Sequence, residues 1–386
     1  MHYRTLGNTR ITTSVLGFGC MRLPTREQGD QFTFPHGPIN QEKAIHIIRK
    51  GIEAGINYID TAYTYHEEEG EIIVGMALKD GYRKKVTLAT KAPVRMDYYC
   101  EAEHFEKYLD DQLQRLSVDF IDIYLFHGIN ATLWEEKIKK FDLIERARCA
   151  QEEGKFKYLG FSFHDKPEVL KEIIDSSHFE MMLVQYNILD RANEEMIAHA
   201  AKKGLGVAVM GPNNGGKLAG EPPLEMQPWV TEGRANFVDL SLKFVLSNQN
   251  VSVALSGMGS EKMLDDNVAL VSDKNYDKLT DTEKERIHII EAKFKELSNT
   301  ICTVCRYCMP CPNEVNIPLI FASVIRHQVY GNKKTATWAY SNIGKVRWFP
   351  GKDATACLEC GECEPKCPQH IPIIDQLKEA HRILTG

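Results

Sequence analysis

Several features are missing from this sequence. No apolar run approaches the ~18 residues a membrane-spanning helix needs, so no membrane partner is expected. The opening residues, Met1-His2-Tyr3-Arg4-Thr5, lack the apolar stretch of a secretory signal, and the expected location is cytoplasmic. Charge of one sign is not in excess. A net charge of -6 over 386 residues supplies no basic surface for nucleic acid. No dinucleotide fingerprint is present, because Gly17-Phe18-Gly19 is not followed by a third glycine opening a helix. No flavin signature is found.

What is present begins with cysteine. There are 11, and Cys20, Cys100 and Cys149 are scattered. The rest form two tight runs near the end of the chain. In a chain with no export signal, such clustering reads as metal or cluster ligation rather than disulfides.

Before those runs, short apolar stretches alternate with amphipathic ones. Tyr3–Leu6 and Ile11–Leu16 flank Gly7-Asn8 and predict an N-terminal β-hairpin. Strands are predicted near 15–20, 57–60, 86–90, 121–126, 156–161, 182–186, 206–210 and 251–255. Helices are predicted near 41–54, 68–79, 104–116, 135–152, 167–177, 194–203, 235–248 and 260–271. Phe105, Leu109, Leu113 and Leu116 illustrate the helical spacing. Eight βα units in about 270 residues match a (β/α)8 TIM barrel. The alternative is a doubly wound sheet, but no Gly-rich loop follows the first strand. The Gly- and Pro-rich segment 211–234 has the length of a functional lid. The expected domains are a barrel at 1–272, a connecting helix at 273–299, and a mostly α-helical ferredoxin-like domain at 300–386.

Four side chains stand where chemistry is expected. Asp60 ends the strand Asn57-Tyr58-Ile59, and Tyr65 follows it. Lys91 ends the strand Val86–Thr90, and His127 ends Ile121–Phe126. Singly, each has an ordinary reading: a helix cap, a solvated lysine, a structural histidine. Together they sit at three successive strand ends, which in a parallel barrel converge on one face. A carbonyl reductase needs a proton donor at the substrate oxygen. A free phenol has a pKa of ~10. A neighbouring ammonium is expected to lower it, a carboxylate to hold the ammonium, and an imidazole to hydrogen-bond the oxygen.

The run Gly55-Ile56-Asn57-Tyr58-Ile59-Asp60-Thr61-Ala62 with Tyr65 resembles the signature of the aldo-keto reductase family. Lys91, His127, Gly160-Phe161-Ser162, Gln185-Tyr186-Asn187 and Gly216-Lys217-Leu218 also match. With its cysteine tail the chain resembles the branch carrying a C-terminal ferredoxin-type domain. The resemblance implies Asp60, Tyr65, Lys91 and His127 as catalytic residues and NAD(H) or NADP(H) as cofactor. It places Ser162 and Gln185 at the nicotinamide carboxamide. Phe163 and then His164 follow Ser162, where the family commonly has Asn, so His164 either substitutes or stands behind. Met210-Gly211 occupies the place of an aromatic ring that many members stack on nicotinamide. Ser256-Gly257-Met258-Gly259-Ser260 would meet phosphate at a helix N-terminus. Asn267 matches the adenine contact. Gly257 and Met263 replace the Lys and Arg that often grip a 2′-phosphate, with Lys262 adjacent.

The tail repeats one plan. Cys302-x2-Cys305-x2-Cys308-x2-Cys311-Pro312 leads to Ile317-Pro318, and Cys357-x2-Cys360-x2-Cys363-x3-Cys367-Pro368 leads to Ile371-Pro372. In two-cluster ferredoxins the fourth cysteine of a run, followed by Pro, ligates the other cluster. On that rule Cys302, Cys305, Cys308 and Cys367 hold one 4Fe–4S cluster, and Cys357, Cys360, Cys363 and Cys311 the second. Zinc sites take cysteines in pairs, which would leave the others surplus. The first run departs from the bacterial spacing by one residue before Cys311.

The expected function is hydride transfer between a nicotinamide and a small carbonyl or alcohol, with Tyr65 as acid/base. The alternative is an iron–sulfur electron-transfer or redox-sensing protein that uses the barrel as a platform or carries a further redox cofactor. A ferredoxin or other redox protein is then the partner. Trp134, Trp229, Met96 and Tyr98 lie on loops of the active face and either line an apolar pocket or pack as loop residues.

Overall fold

The computed structural model describes residues 1–27, 36–96, 98–216, 218–298, 302, 308–329, 331–346, 349–367 and 371–386. They form two compact units, Met1–Lys217 with Val238–Asp281, and Leu218–Phe237 with Thr282–Gly386.

The first unit opens with the hairpin β1 (Tyr3–Thr5) and β2 (Thr12–Ser14), paired antiparallel. β3 (Leu16–Gly19) then starts the barrel, and β4 (Thr25–Glu27) pairs with β5 (His36–Ile39) outside it. The remaining barrel strands are β6 (Tyr58–Asp60), β7 (Thr87–Ala92), β8 (Ile121–Ile129), β9 (Phe156–Phe163), β10 (Met181–Gln185), β11 (Gly206–Met210) and β12 (Val253–Ser256). They close in the order β10-β11-β12-β3-β6-β7-β8-β9, every neighbouring pair parallel. Helices α1 (Gln41–Glu53), α2 (Gly70–Ala77), α3 (His104–Leu116), α4 (Ala131–Leu133), α5 (Leu143–Glu152), α6 (Pro167–Asp175), α7 (Glu194–Lys202), α8 (Val238–Ser247) and α9 (Glu261–Ser272) alternate with them. The fold is the expected (β/α)8 barrel.

The barrel interior is filled, not hollow. Tyr58, Ala89, Ile123, Leu125, Met181, Leu183, Ala208, Val253 and Leu255 form one buried cluster. Leu6, at the turn of the N-terminal hairpin, joins it from one end. A Cβ at Gly206 would stand 2.5 Å from Leu6 Cγ, so only glycine admits this plug. Gly17-Phe18-Gly19 lies inside β3, within the strand predicted near 15–20. Close packing explains it, since a Cβ at Gly17 would come within 2.5 Å of Leu255 Cδ2.

Helix α3 refines its predicted stripe. The buried face is Phe105, Leu109, Gln112 and Leu116, with Leu113 turned half out. Trp134 is 3% exposed, packs on Phe179 at 6.2 Å and donates to Glu172 Oε1, so it is a packing residue.

The second unit is helical: α10 (Asp281–Ser298), α11 (Ile317–Gln328), α12 (Lys333–Ser341) and α13 (Ile373–Thr385). Its core includes Ile317, Ile320, Phe321, Ala336, Ala339, Ile373, Leu377 and Leu384. The repeat in the sequence becomes a repeat in structure. One helix follows each cysteine run, with Pro318 in the first turn of α11 and Pro372 capping α13. Pro fits both places because the first helical N–H groups have no intrahelical partner. The stretch Leu218–Phe237, which holds most of the segment predicted as a lid, is closed at its base, Phe237 N to Leu218 O at 3.0 Å and Asn236 Nδ2 to Ala219 O at 2.9 Å. Among the described residues no helix is long and apolar enough to cross a membrane.

Candidate active site

Asp60 closes β6, and the β6–β7 register sets it opposite Ala89, two residues before Lys91. Successive side chains of a strand alternate faces, so Lys91 points the same way as Ala89, inward and toward the strand ends. Its ammonium donates to Asp60 Oδ1 at 2.7 Å, Thr61 O at 2.7 Å and Tyr65 OH at 3.1 Å. All three N–H bonds of the ammonium are thereby used. Lys91 is 1% exposed and Asp60 is 3% exposed.

Tyr65 is held by its own loop. Its N–H bonds Ala62 O at 3.2 Å, and its carbonyl accepts from Gly70 at 3.1 Å. The next three residues, His66, Glu67 and Glu68, all have positive φ, from 53° to 72°. The His66 ring anchors this strained turn, with Nε2 3.2 Å from Leu23 N and 3.1 Å from Cys20 O. His127, from β8, sets its ring edge-on to Tyr65 at 6.0 Å and 81°. Its Nδ1 is buried with no hydrogen-bond partner among the described residues. The structure thus gathers Asp60, Tyr65, Lys91 and His127 at one end of the barrel.

The electrostatics differ from expectation at the tyrosine. Burial raises the Tyr65 pKa, and Lys91, which lowers it, does not outweigh that. The phenol is therefore held protonated, as a donor. Burial pulls Lys91 down, but Asp60 and Tyr65 more than offset it and leave it raised. Burial raises Asp60 against the pull of Lys91. Burial, then Lys91, Arg95 and His164, drive His127 far below its ordinary value, so its imidazole is neutral.

Behind Lys91 lies a polar network that periodicity did not reveal. Gln112 Nε2 donates to Lys91 O at 3.1 Å and to Glu71 Oε1 at 2.6 Å. Thr90 Oγ1 and Arg115 Nε also donate to Glu71, at 2.5 and 3.1 Å. An acid inside the apolar helix Gly70–Ala77 was the available signal. Cys20 is fully buried, and burial, then Asp60, pushes its thiol pKa up against the opposing pull of Lys91.

The residues matched to cofactor binding occupy the same ends of later strands. Ser162, in β9, accepts the Gly128 N–H at 2.7 Å and keeps its own hydroxyl proton to donate. His164 lies beside Gly128, 3.7 Å from where a Cβ there would stand. Gln185 and Met210 pair in register on β10 and β11. A Cβ at Gly211 would come within 2.5 Å of Gln185 Oε1, so this glycine, at φ +63°, keeps the amide's place open. Ser256 ends β12 and accepts from Asn267 Nδ2 at 3.1 Å, both residues being buried. Gly257, Met258 and Gly259 lead to Ser260, which caps α9 through Met263 N. Met258 is fully buried. Lys262 is turned to its own helix surface, 2.7 Å from Asp266. Lys217 lies outside the described residues. Arg22, unforeseen in the sequence, lays its stem 3.1 Å from the Cβ position of Gly257 and bonds Gly215 O at 2.6 Å. These residues fit a nucleotide: a capped helix N-terminus, two glycines for close approach, and a cation beside them.

In the second unit Cys308, Cys311, Cys357, Cys360 and Cys363 line one cavity together with Val315, Ile317, Leu358 and Leu377. Four of these are the expected ligands of the second cluster. Cys302, Cys308 and Cys367 are each 8% exposed. Cys305 lies outside the described residues. No disulfide joins the described cysteines. Among the described residues no three His, Cys, Asp or Glu groups gather closely enough to hold a single ion. Thiols lining an apolar cavity fit an iron–sulfur cluster in donor type.

A closed parallel barrel with its polar constellation at the strand ends belongs to the class of (β/α)8 enzymes. Comparison with known proteins narrows that class. A sequence model of the aldo/keto reductase family matches residues 15–291. The uncharacterized oxidoreductase YqkF of Bacillus subtilis (strain 168) is 32% identical over 229 residues, 58% of this chain and 68% of its own. L-galactose dehydrogenase of Arabidopsis thaliana is 25% identical over 70% of this chain and 88% of its own. The holo form of aldo-keto reductase AKR11C1 from Bacillus halodurans superimposes with a TM-score of 0.62 at 30% identity, covering 75% of this chain and 96% of that one. The chain belongs to the aldo/keto reductase family. It also carries a C-terminal 4Fe-4S dicluster domain, matched over residues 301–371.

Proposed function

We propose that the protein is an NAD(P)H-dependent carbonyl reductase in which Tyr65 delivers the proton. The observation that carries this reading is the saturated Lys91 ammonium, bonded at once to Asp60, Thr61 and Tyr65. Asp60 fixes Lys91, and Lys91 fixes the phenol and steadies the phenolate left when the proton departs. Neutral His127 offers a hydrogen bond to the substrate oxygen beside Tyr65. Ser162 and Gln185 would hold the carboxamide, and the 256–260 loop with Arg22 and Asn267 would hold the rest of the dinucleotide. The bound nicotinamide supplies the hydride. The same groups run the reverse reaction, alcohol oxidation, once Tyr65 is the base. The choice between NAD and NADP turns on the adenosine end, where Arg22 lies beside Gly257 and Lys262 is paired with Asp266.

The cysteine cavity supports a second element of the reading: two 4Fe–4S clusters in the C-terminal unit, structural or sensory and outside the hydride path. Unoxidised clustered thiols fit a reducing, cytoplasmic setting. Anaerobic mixing of the holoprotein with NAD(P)H and a carbonyl panel tests the assignment. Stoichiometric NAD(P)H oxidation with unchanged cluster absorption is expected. Cluster bleaching without alcohol formation would favour electron transfer as the function instead.

A further inference from the structure

Arg95 follows β7, the strand of Lys91, and His164 follows β9. Both converge on Gly128, the residue after His127. A Cβ at Gly128 would stand 3.6 Å from Arg95 Cδ and 3.7 Å from His164 Cδ2. Arg95 is exposed at this mouth. Among the described residues it has neither a hydrogen-bond nor an ion-pair partner, whereas most arginines of this unit have one.

The other charges nearby are committed. Lys91 spends its three N–H bonds on Asp60, Thr61 and Tyr65. Lys137 donates to Met96 O at 2.7 Å, beside Arg95 in the chain. Glu68 accepts from Tyr98 OH at 3.2 Å. Asp165 accepts the N–H groups of Ala131 and Lys166, each at 2.8 Å. The charged and titratable neighbours that act on His127 are Lys91, Arg95 and His164, and all three disfavour a positive imidazole. Lys91 is balanced by Asp60 and burial keeps His164 neutral, so the uncommitted charge beside His127 is the planar guanidinium of Arg95, suited to carboxylate or phosphate.

We propose that Arg95 is a specificity-determining residue that binds an anionic group on the substrate, so that the barrel reduces carbonyl compounds bearing a carboxylate or a phosphate. The inference rests on the hydride-transfer reading above. The step balances as one hydride from NAD(P)H to the carbonyl carbon and one proton from Tyr65 to its oxygen. The C=O π bond breaks, and alcohol and NAD(P)+ form. The anionic group takes no part in the bond changes; it orients the carbonyl toward Tyr65 and His127.

Steady-state kinetics of the holoenzyme with benzaldehyde, para-carboxybenzaldehyde and para-formylphenyl phosphate test it. In the native protein at least one anionic aldehyde is expected to exceed benzaldehyde in kcat/KM by about tenfold, the scale of one charge-assisted contact near solvent. The better of the two anions names the group. Arg95→Met should collapse the ratio toward one, Arg95→Lys should retain part of it, and Arg95→Glu should push it below one. Equal kcat/KM for neutral and anionic aldehydes, or a ratio unmoved in Arg95→Met, overturns the inference while leaving the reductase reading standing. A protein that reduces none of the three overturns the reductase reading, and this inference with it.

Discussion

The ammonium of Lys91 stands 3.1 Å from the hydroxyl of Tyr65 and 4.7 Å from the centre of its ring. The contact joins the loop after β6 to the end of β7 through side chains alone, and in the proposed reaction it sets the phenol where a proton leaves. Tyr65→Phe removes the hydroxyl and keeps the ring against His127. Carbonyl reduction is expected to fall about 10²- to 10⁴-fold, the range for loss of a general acid. The thermal midpoint should change little. Full turnover in Tyr65→Phe would sink the assignment.

Lys91 and Asp60 are buried together, so removing one strands the other. Lys91→Met leaves a carboxylate without its counter-ion, and Asp60→Leu leaves an ammonium without its own. Each is expected to destabilise the barrel by about 3–5 kcal/mol. The double variant should lose less than the sum of the two, because neither charge is then orphaned. Denaturant unfolding followed by circular dichroism measures this. Additive losses would show that the pair is not coupled in the folded protein.

Glu71 makes stability depend on pH. Burial pushes its pKa up to about 7, against the hydrogen bonds from Thr90, Gln112 and Arg115, which pull it down. Its unfolded value is ~4.3, so the folded protein binds this proton more tightly. The stabilising contribution is complete below the unfolded value and is lost as pH rises through the folded one. Between about pH 4.5 and 7 the native protein should lose up to about 1.4 kcal/mol per pH unit relative to Glu71→Gln, which cannot ionise. Parallel stability curves for the two proteins would refute the shift.

Asp60, Lys91 and His127 were legible because a parallel barrel brings strand ends to one face whatever the loops do. What escaped was polar. Gln112 occupies an apolar stripe position on α3, where periodicity favoured Leu113, and nothing in the local sequence says that a glutamine is buried to reach Lys91 O. The upward shift at Tyr65 also escaped. Desolvation depends on everything packed around a group, whereas the sequence displays only the lysine that opposes it. Arg22 and Arg95 lie outside the strands and α-helices, and their neighbours Gly257 and Gly128 stand just after β12 and within β8, far off in sequence. Long-range proximity of that kind carries no local pattern.

The cysteine runs make a compositional prediction. Anaerobically purified protein should be brown and hold about eight iron and eight sulfide per chain, four per cluster. About four of each would mean that only one of the two sets assembles. Cys311, in the shorter first run, lines one cavity with Cys308, Cys357, Cys360 and Cys363, and the proposed pairing puts it in the second set. Cys311→Ala should therefore lower iron without disturbing the set built on Cys302. Tight zinc without sulfide would overturn both assignments.

The last expectation concerns whether the two units share electrons. Carbonyl reduction moves two electrons as one hydride, whereas a cysteine-held cluster exchanges one at a time. A flavin commonly bridges such steps, and the sequence carries no flavin signature. The barrel, by contrast, contains the groups proposed for proton delivery: a protonated Tyr65, a saturated Lys91 and a neutral His127. On the proposed reading the hydride site needs nothing from the clusters, which then serve as structural or sensory elements. Cys360 lines the second-set cavity and is exposed, so Cys360→Ser can be made with little disturbance to packing. A folded Cys360→Ser protein should keep at least roughly a tenth of its NAD(P)H-dependent carbonyl reduction, because general acid and hydride chemistry both reside in the barrel. Its iron content should fall at the same time, which shows that the cluster was reached. Complete loss of reduction in the folded variant, or a flavin spectrum in the native protein, would place the clusters in the electron path.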